Sequence, residues 1–370
     1  MKIAMIGLRG LGDGLGGIEK AVREISTRMI KDGHDVTCYC KHKYSKSTDF
    51  EGVKLVNIKT ATGKYLETLI YSIRAIISAS KQDYDIIHIH ALASSCLAWI
   101  PKFIYKKNVV ITVHGLDWQR AKWGFIATQI LKFGEWASVM FATSTVCVSK
   151  SLTMYYKMKY NGASINYIPN GCDFGNSYHP EAEGFKSKNY YLYLGRLVPE
   201  KGAHRLIEAY KEIETDKKLV IAGPDSDSAY AKKLRLLADG NPNIVFTGAV
   251  YDDYKVRLLS NAFMFILPSD IEGLPIAVLE AASYGVCTAV SKIPTCDEIL
   301  ENKTIPCGFQ FNPRSIIELK TILGISDKSE KLVENLGKKL KAQVQYEYNW
   351  DVISRQSLKT YEHTLNNKAA

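Results

Sequence analysis

No stretch of the 370-residue sequence holds the roughly 20 consecutive apolar residues that would span a bilayer. The beginning, one lysine and a short apolar run into glycines, lacks the cleavage region of a secretory signal, so the expected location is the cytoplasm. The eight cysteines sit at 38, 40, 96, 147, 172, 287, 296 and 307. They form no C-x-x-C pair and no grouping with histidine at zinc spacing, and read as reduced, mostly buried thiols. Neither a metal site nor a cofactor is expected. Repeats, low-complexity tracts and nucleic-acid-binding signatures are also missing, which removes nucleic acid as an expected partner.

What is present is a chain long enough for two domains, with the 46% hydrophobic and 23% charged content of a globular protein. The net charge of +10 is unevenly placed: residues 1 to 174 carry 23 Lys and Arg against 13 Asp and Glu, and the remainder carries 25 of each. Trp99, Trp118, Trp123 and Trp136 lie in that basic half, within "LAWIPKFIYKK" (97 to 107) and "WQRAKWGFIATQILKFGEW" (118 to 136). With "KSLTMYYKMKY" (150 to 160), these segments interleave lysine with aromatic and aliphatic residues. Such a pattern suits either contact with an anionic membrane surface or amphipathic core helices with solvated lysines.

Short β-branched runs alternate with amphipathic segments almost throughout. Strands are expected at 2–7, 36–40, 86–90, 109–113 and 145–148, then at 190–194, 219–222, 244–247, 263–267 and 286–290. The clearest helix is 18–31, where Ile18, Ala21, Val22, Ile25 and Met29 recur at helical spacing and Gly33 provides a stop. In the second half helices are expected near 203–213, 229–238, 253–260 and 275–284. This βαβ alternation predicts an α/β protein with two parallel sheets, each covered by helices on both faces. The polar segment 170–189 reads as the linker.

Ligands of open parallel sheets gather at the carboxyl ends of strands, so the loops that follow the strands carry the functional argument. After the first comes "GLRGLGDGLGGIEKAV" (7 to 22), with Gly12, Gly14 and Gly17 at G-x-G-x-x-G spacing. A dinucleotide site would need an acid at the end of the second strand, where Lys41 and His42 stand instead. Gly16 and Gly17, at the amino end of the next helix, suit either phosphate contact or a purely conformational turn. His114 follows "VVITV". In "GRLVPEKG", Arg196 and Lys201 make either a diphosphate clamp or ordinary solvated charges.

"DIEGLPIAVLEAASYG" places Glu272 eight residues before Glu280, with Pro275 suited to the first helical turn. Eight helical steps span roughly 12 Å, beyond the ~10 Å reach of a hydrolase carboxylate pair but suited to gripping two ends of an elongated ligand. The plainer reading is a helix-start acid followed by a solvated helical glutamate. "DSD" at 225–227 imitates a metal-binding D-x-D and is read as a decoy. His88 and His90, alternating on one strand face, read as structural.

Together, "GGIEKAVREISTRMIKDGHDVT", "HGLDWQRAKW", "IPNGCD", "GRLVPEKG", the Glu272 to Glu280 motif and "YNWDVISRQSLKTYE" resemble a retaining glycosyltransferase of family 4, of the bacterial surface-polysaccharide type. The resemblance covers essentially the whole chain and implies the GT-B fold, two Rossmann-like domains facing across a cleft. Residues 1–174 would form the acceptor-side domain and 187–348 the nucleotide-sugar domain, with 349–370 as a helix returning to the first. It implies that Gly16 and Gly17 contact the donor diphosphate, that Arg196 and Lys201 hold it from the other side, and that Glu280 binds the ribose. Glu272, with the backbone of Gly273 and Leu274, would take the donor sugar, His114 would lie beside the reacting sugar, and Val250 with Tyr251 would border the base. The acceptor implied is a lipid-linked saccharide, and metal would be unnecessary. Cys287, where many relatives have proline, and "IPTCDEIL", without their paired glycines, leave the donor sugar unread. The rival expectations are an NAD-dependent oxidoreductase and a non-catalytic sugar- or membrane-binding module.

Overall fold

Apolar runs of four to seven residues, punctuated by glycine and polar turns, make short strands that bury both faces when helices cover them. The computed structural model describes residues 1–366 apart from 13, 15, 61–62, 121, 176–178, 225–227 and 302–305, with only the backbone of Lys64 and Tyr65. The "DSD" motif therefore lies outside the described residues. The chain forms two compact units, one of Met1–Asn170 with Trp350–Ala370, the other of Gly171–Asn349.

The first unit runs β1 (Lys2–Ile6), α1 (Gly17–Lys31), β2 (Asp35–Lys41), β3 (Asp49–Phe50), β4 (Val53–Ile58), α2 (Lys64–Ser80), β5 (Ile86–His90) and α3 (Leu92–Ser95). It continues through a π-turn at Ile100–Ile104, β6 (Asn108–Val113), a 3-10 turn at Asp117–Gln119, α4 (Phe125–Met140), β7 (Ser144–Cys147), α5 (Lys150–Lys159) and β8 (Ile165–Tyr167). Its strands lie in the order β3-β4-β2-β1-β5-β6-β7-β8, parallel except for the β3–β4 hairpin. The order reverses between β1 and β5, so the crevice beyond their carboxyl ends is the natural ligand position.

The second unit runs β9 (Tyr190–Leu194), α6 (Ala203–Lys211), β10 (Lys218–Ala222), α7 (Ala229–Ala238), β11 (Ile244–Gly248), α8 (Asp252–Ser260) and β12 (Met264–Leu267). It closes with α9 (Ile276–Ser283), β13 (Cys287–Ser291), α10 (Pro294–Leu300), β14 (Phe309–Phe311), α11 (Ile316–Lys328) and α12 (Glu330–Glu347). Its sheet is wholly parallel, in the order β11-β10-β9-β12-β13-β14, with the reversal between β9 and β12.

The last helix, α13 (Trp350–Asn366), belongs to the first unit. Its apolar stripe of Trp350, Ile353, Leu358 and Tyr361 is buried, each such side chain contributing about 1.5–3 kcal/mol. Arg28 of α1 clamps Asp351 at 2.6 Å, and the Tyr361 hydroxyl meets His88 Nδ1 at 2.6 Å in the core.

The expected linker is mostly part of the second unit. Ala182 and Phe185 are buried, the Phe185 ring packs on Tyr190, and the Asn261 amide donates to the carbonyls of His179 and Pro180. Few apolar residues in a polar segment suffice to hold it when a side-chain amide satisfies its backbone. The two crossings run side by side, with the Cys172 N–H donating to the Tyr348 carbonyl at 2.8 Å.

Candidate functional site

In the second unit the loops after β9 and β12 meet at the point where strand order reverses. The Asp270 N–H donates to the Glu200 carbonyl at 2.8 Å. Arg205 donates to the Pro268 carbonyl at 2.6 Å and pairs with Asp270 at 2.9 Å. Gly202 adopts a left-handed φ of 69°, and a Cβ there would lie 2.0 Å from the Pro268 carbonyl, so only glycine permits this approach. The stitching brings Lys201 onto Glu272: its ammonium donates to Oε1, with both side chains largely buried. Arg196 is exposed on the same loop, its carbonyl held by the Tyr193 hydroxyl at 2.9 Å.

Helix α9 begins at Ile276, with Pro275 as its N-cap rather than in its first turn. Only the second half of the Glu272 to Glu280 interval is therefore helical, and the ~12 Å spacing drawn from eight helical steps does not apply. Glu280 is buried, not the solvated helical acid of the plainer reading, and Lys255 of α8 reaches it at 2.7 Å. Lys255 escaped the sequence reading because nothing in "VYDDYKVRLLS" ties it to a residue 25 positions away. Each acid of the motif thus has its own lysine. Gly273 and Leu274 lie between them, Leu274 buried. Val250 is buried and Tyr251, the N-cap of α8, is exposed beside it.

In the first unit, the loop after β1 is organised by side chains that the sequence did not single out. The N–H groups of Gly7 and Leu8 donate to the Tyr71 hydroxyl at 2.9 and 3.1 Å, and that hydroxyl donates to the Tyr39 carbonyl at 2.6 Å. Arg9 forks onto Glu19, with Nε on Oε1 at 2.9 Å and Nη2 on Oε2 at 3.3 Å. Burial would raise the Glu19 carboxyl, but the Arg9 hydrogen bonds and charge outweigh it and hold it below the usual range. A Cβ on Gly16 would sit 2.9 Å from both Arg9 Nη2 and Glu19 Oε2, the ends of flexible side chains that can give way, so a side chain there would disturb the ion pair more than the backbone. Gly17 opens α1, whose amino end carries no side-chain cap. Lys41, which replaces the acid of a dinucleotide site, is committed to Glu67 at 2.9 Å and Thr68 at 3.3 Å.

His114 follows β6 and is half-buried. Its Nε2 lies 3.1 Å from His90 Nδ1 at the end of β5. The His90 ring stacks on His88, 4.1 Å between centroids, and His88 Nε2 meets the Thr112 hydroxyl at 2.7 Å. Burial pushes His114 down to about 4 and His88 to about 3, and holds His90 well below its ordinary value. All three are neutral near pH 7. His88 is bonded through both ring nitrogens to Tyr361 and Thr112, in keeping with the structural expectation, whereas His90 also touches the candidate His114. Beyond His114, Trp118 is pinned by its indole N–H to Glu135 Oε2 at 2.7 Å. The other oxygen of Glu135 accepts from Tyr155, Lys159 and Tyr160 at 3.0, 2.7 and 2.9 Å. Among the described residues, no group of three or more His, Cys, Asp or Glu side chains is arranged to hold a metal ion, and no helix is long and apolar enough to cross a membrane.

The candidate residues thus divide into two sets, each after the carboxyl ends of parallel strands: those after β1, β9 and β12 flank a reversal of strand order, whereas His114 follows β6 and Val250 and Tyr251 follow the edge strand β11. The arrangement defines a two-domain α/β protein of the GT-B glycosyltransferase class. The model of "Glycosyltransferase Family 4" matches residues 15–175 and that of "Glycosyl transferases group 1" matches 177–345. The chain belongs to the family 4 glycosyltransferases, and the NAD-dependent oxidoreductase reading falls. An Escherichia coli UDP-Gal:alpha-D-GlcNAc-diphosphoundecaprenol alpha-1,3-galactosyltransferase is 26% identical over 82% of each chain. Among solved structures, sucrose-phosphate synthase from Thermosynechococcus elongatus superposes with TM-score 0.86 at 20% identity, over 99% of each chain. Anabaena HepE in complex with UDP-glucose superposes with TM-score 0.80 at 17% identity, over 98% of this chain and 100% of that one.

Proposed function

We propose that this chain moves a sugar, with retention and without a metal ion, from a nucleoside-diphosphate sugar to a hydroxyl of a lipid-linked saccharide in surface-polysaccharide synthesis. The observation that carries the reading is the Lys201–Glu272 pair, which sets a largely buried cation beside a carboxylate where the loops after β9 and β12 converge. Cationic side chains fixed in a half-buried loop stabilise charge developing on a leaving diphosphate at little reorganisation cost. Arg196 adds a forked guanidinium for the same group, and in the first unit the uncapped amino end of α1 at Gly16 and Gly17 suits a phosphate of the donor. Glu280, steadied by Lys255, takes the ribose hydroxyls. Glu272, with the backbone at Gly273 and Leu274, takes the donor sugar. Val250 and Tyr251 border the base, and neutral His114 hydrogen-bonds the reacting sugar.

The bond from the anomeric carbon to the diphosphate oxygen breaks as the acceptor oxygen bonds on the same face, and the acceptor proton passes to the departing phosphate oxygen. The lipid diphosphate in the name of the Escherichia coli relative supports the acceptor class, and the UDP-glucose complex of HepE supports the donor class. A lipid-linked acceptor places the enzyme at the inner face of the cytoplasmic membrane, against anionic headgroups.

Lys201→Ala tests the assignment. Turnover with the preferred donor should fall about 10²- to 10³-fold while the acceptor KM changes little, and excess EDTA should leave the wild-type rate unchanged. Equal turnover by the variant would remove Lys201 from the mechanism.

A further inference from the structure

The faces of α4 are inverted relative to a helix on a protein surface. Its buried side holds Gly134, Glu135, Ala137 and Ser138 together with Leu131 and Val139. Its outward side shows Phe125 at 79% exposure, Ile126 at 75%, Ile130 at 51% and Phe133 at 47%. Trp136 and Met140 continue that face a turn apart, also exposed. Water around a folded protein disfavours such a stripe, and contiguous exposed apolar area marks an interaction site.

The stripe is continuous with the π-turn, where Phe103 and Ile104 are both exposed. Phe141 joins the two elements, its ring centroid 5.9 Å from Phe103 and 5.2 Å from Trp136. The surroundings are basic. Lys106 and Lys107 follow the π-turn, exposed Lys132 lies over the Trp118 ring at 5.2 Å, and Lys122 lies over Trp123 at 4.6 Å. The acids of residues 97–143 are Asp117, paired with Arg120, and Glu135, buried under Lys159 and three aromatic donors. The patch therefore offers a hydrophobic floor with rings and a positive rim.

We infer that the outward face of α4, extended by Phe103 and Ile104, docks on a membrane leaflet rich in anionic lipid, the rings at headgroup level and the lysines on lipid phosphates. This deepens the proposed function, since it names the surface that carries a lipid-linked acceptor to the enzyme.

The test is co-sedimentation of the full chain with vesicles of phosphatidylcholine alone and of phosphatidylcholine with an equal part of phosphatidylglycerol. Wild type should partition onto the anionic vesicles and only weakly onto the neutral ones. I126S/I130S/F133S should lose the binding while keeping its circular dichroism and its transfer to a short-chain, water-soluble acceptor. K106E/K107E/K132E should weaken binding by more than 100-fold, since each lysine accounts for about 5-fold and reversal exceeds removal. Undiminished partitioning by both variants would overturn the inference. So would a wild-type dimer in analytical ultracentrifugation that the serine variant dissociates, because the face would then belong to a second copy. Either result leaves the transfer reaction standing, whereas vesicle binding without transfer from any nucleotide sugar would instead defeat the proposed function.

Discussion

Buried histidines give this protein an acid-sensitive element at the residue scale. His88, His90 and His114 lie in sequence-distant contact in the first unit, and burial holds all of them below the ordinary histidine value. The folded chain refuses protons that the unfolded chain accepts, so stability is fullest above about pH 6.5 and declines as pH falls toward 4. Denaturant midpoints of wild type and His88→Gln across that range check this, the variant showing the shallower dependence; identical slopes would count against it. His114 was singled out because it follows a strand, and Glu272 and Glu280 because their spacing across a loop and a helix matches a motif of the family that the whole chain resembles. Their partners were not. Lys255, Arg9 and His90 act through contacts between elements, and periodicity in one segment carries no trace of a partner in another.

Among elements, the strands were read within a residue or two where short aromatic or β-branched runs stop at a glycine-containing turn, as "YYLYL" does at Gly195 and "VVITV" at His114 and Gly115. The strand β4 and the helix α2 were missed. Exposed Leu66 and Leu69 spread the apolar residues of α2 around its circumference, which blurs the stripe that reveals a helix. The segment after His114 depends on a tie that crosses elements, because buried Glu135 of α4 accepts from Trp118 and from three groups of α5 and its end. Lys159 is about half exposed, so its charge adds less than the neutral donors left without an acceptor. Glu135→Ala should cost about 2–4 kcal/mol in urea unfolding and speed proteolysis between residues 114 and 124. A loss within experimental error would mean that the segment is held by packing alone.

For the whole molecule, two successive βαβ series announced two parallel sheets, and the reversal of strand order in each explains the loops after β1, β9 and β12, while the fourth informative loop, with His114, follows β6 at the same carboxyl edge. Composition also divides, with the entire positive excess in residues 1–174, which hold the aromatic face of α4. The boundary was less legible: the second unit begins at Gly171 because a few buried side chains bind the polar segment to it. The central claim is sugar transfer driven by fixed cations with the donor's anomeric configuration kept. Its most direct measurement is proton NMR of the product made from a nucleotide sugar and a lipid-diphosphate saccharide with EDTA present. The account predicts one added sugar whose anomeric coupling matches the donor's; an inverted product, or no product from any nucleotide sugar, would contradict it.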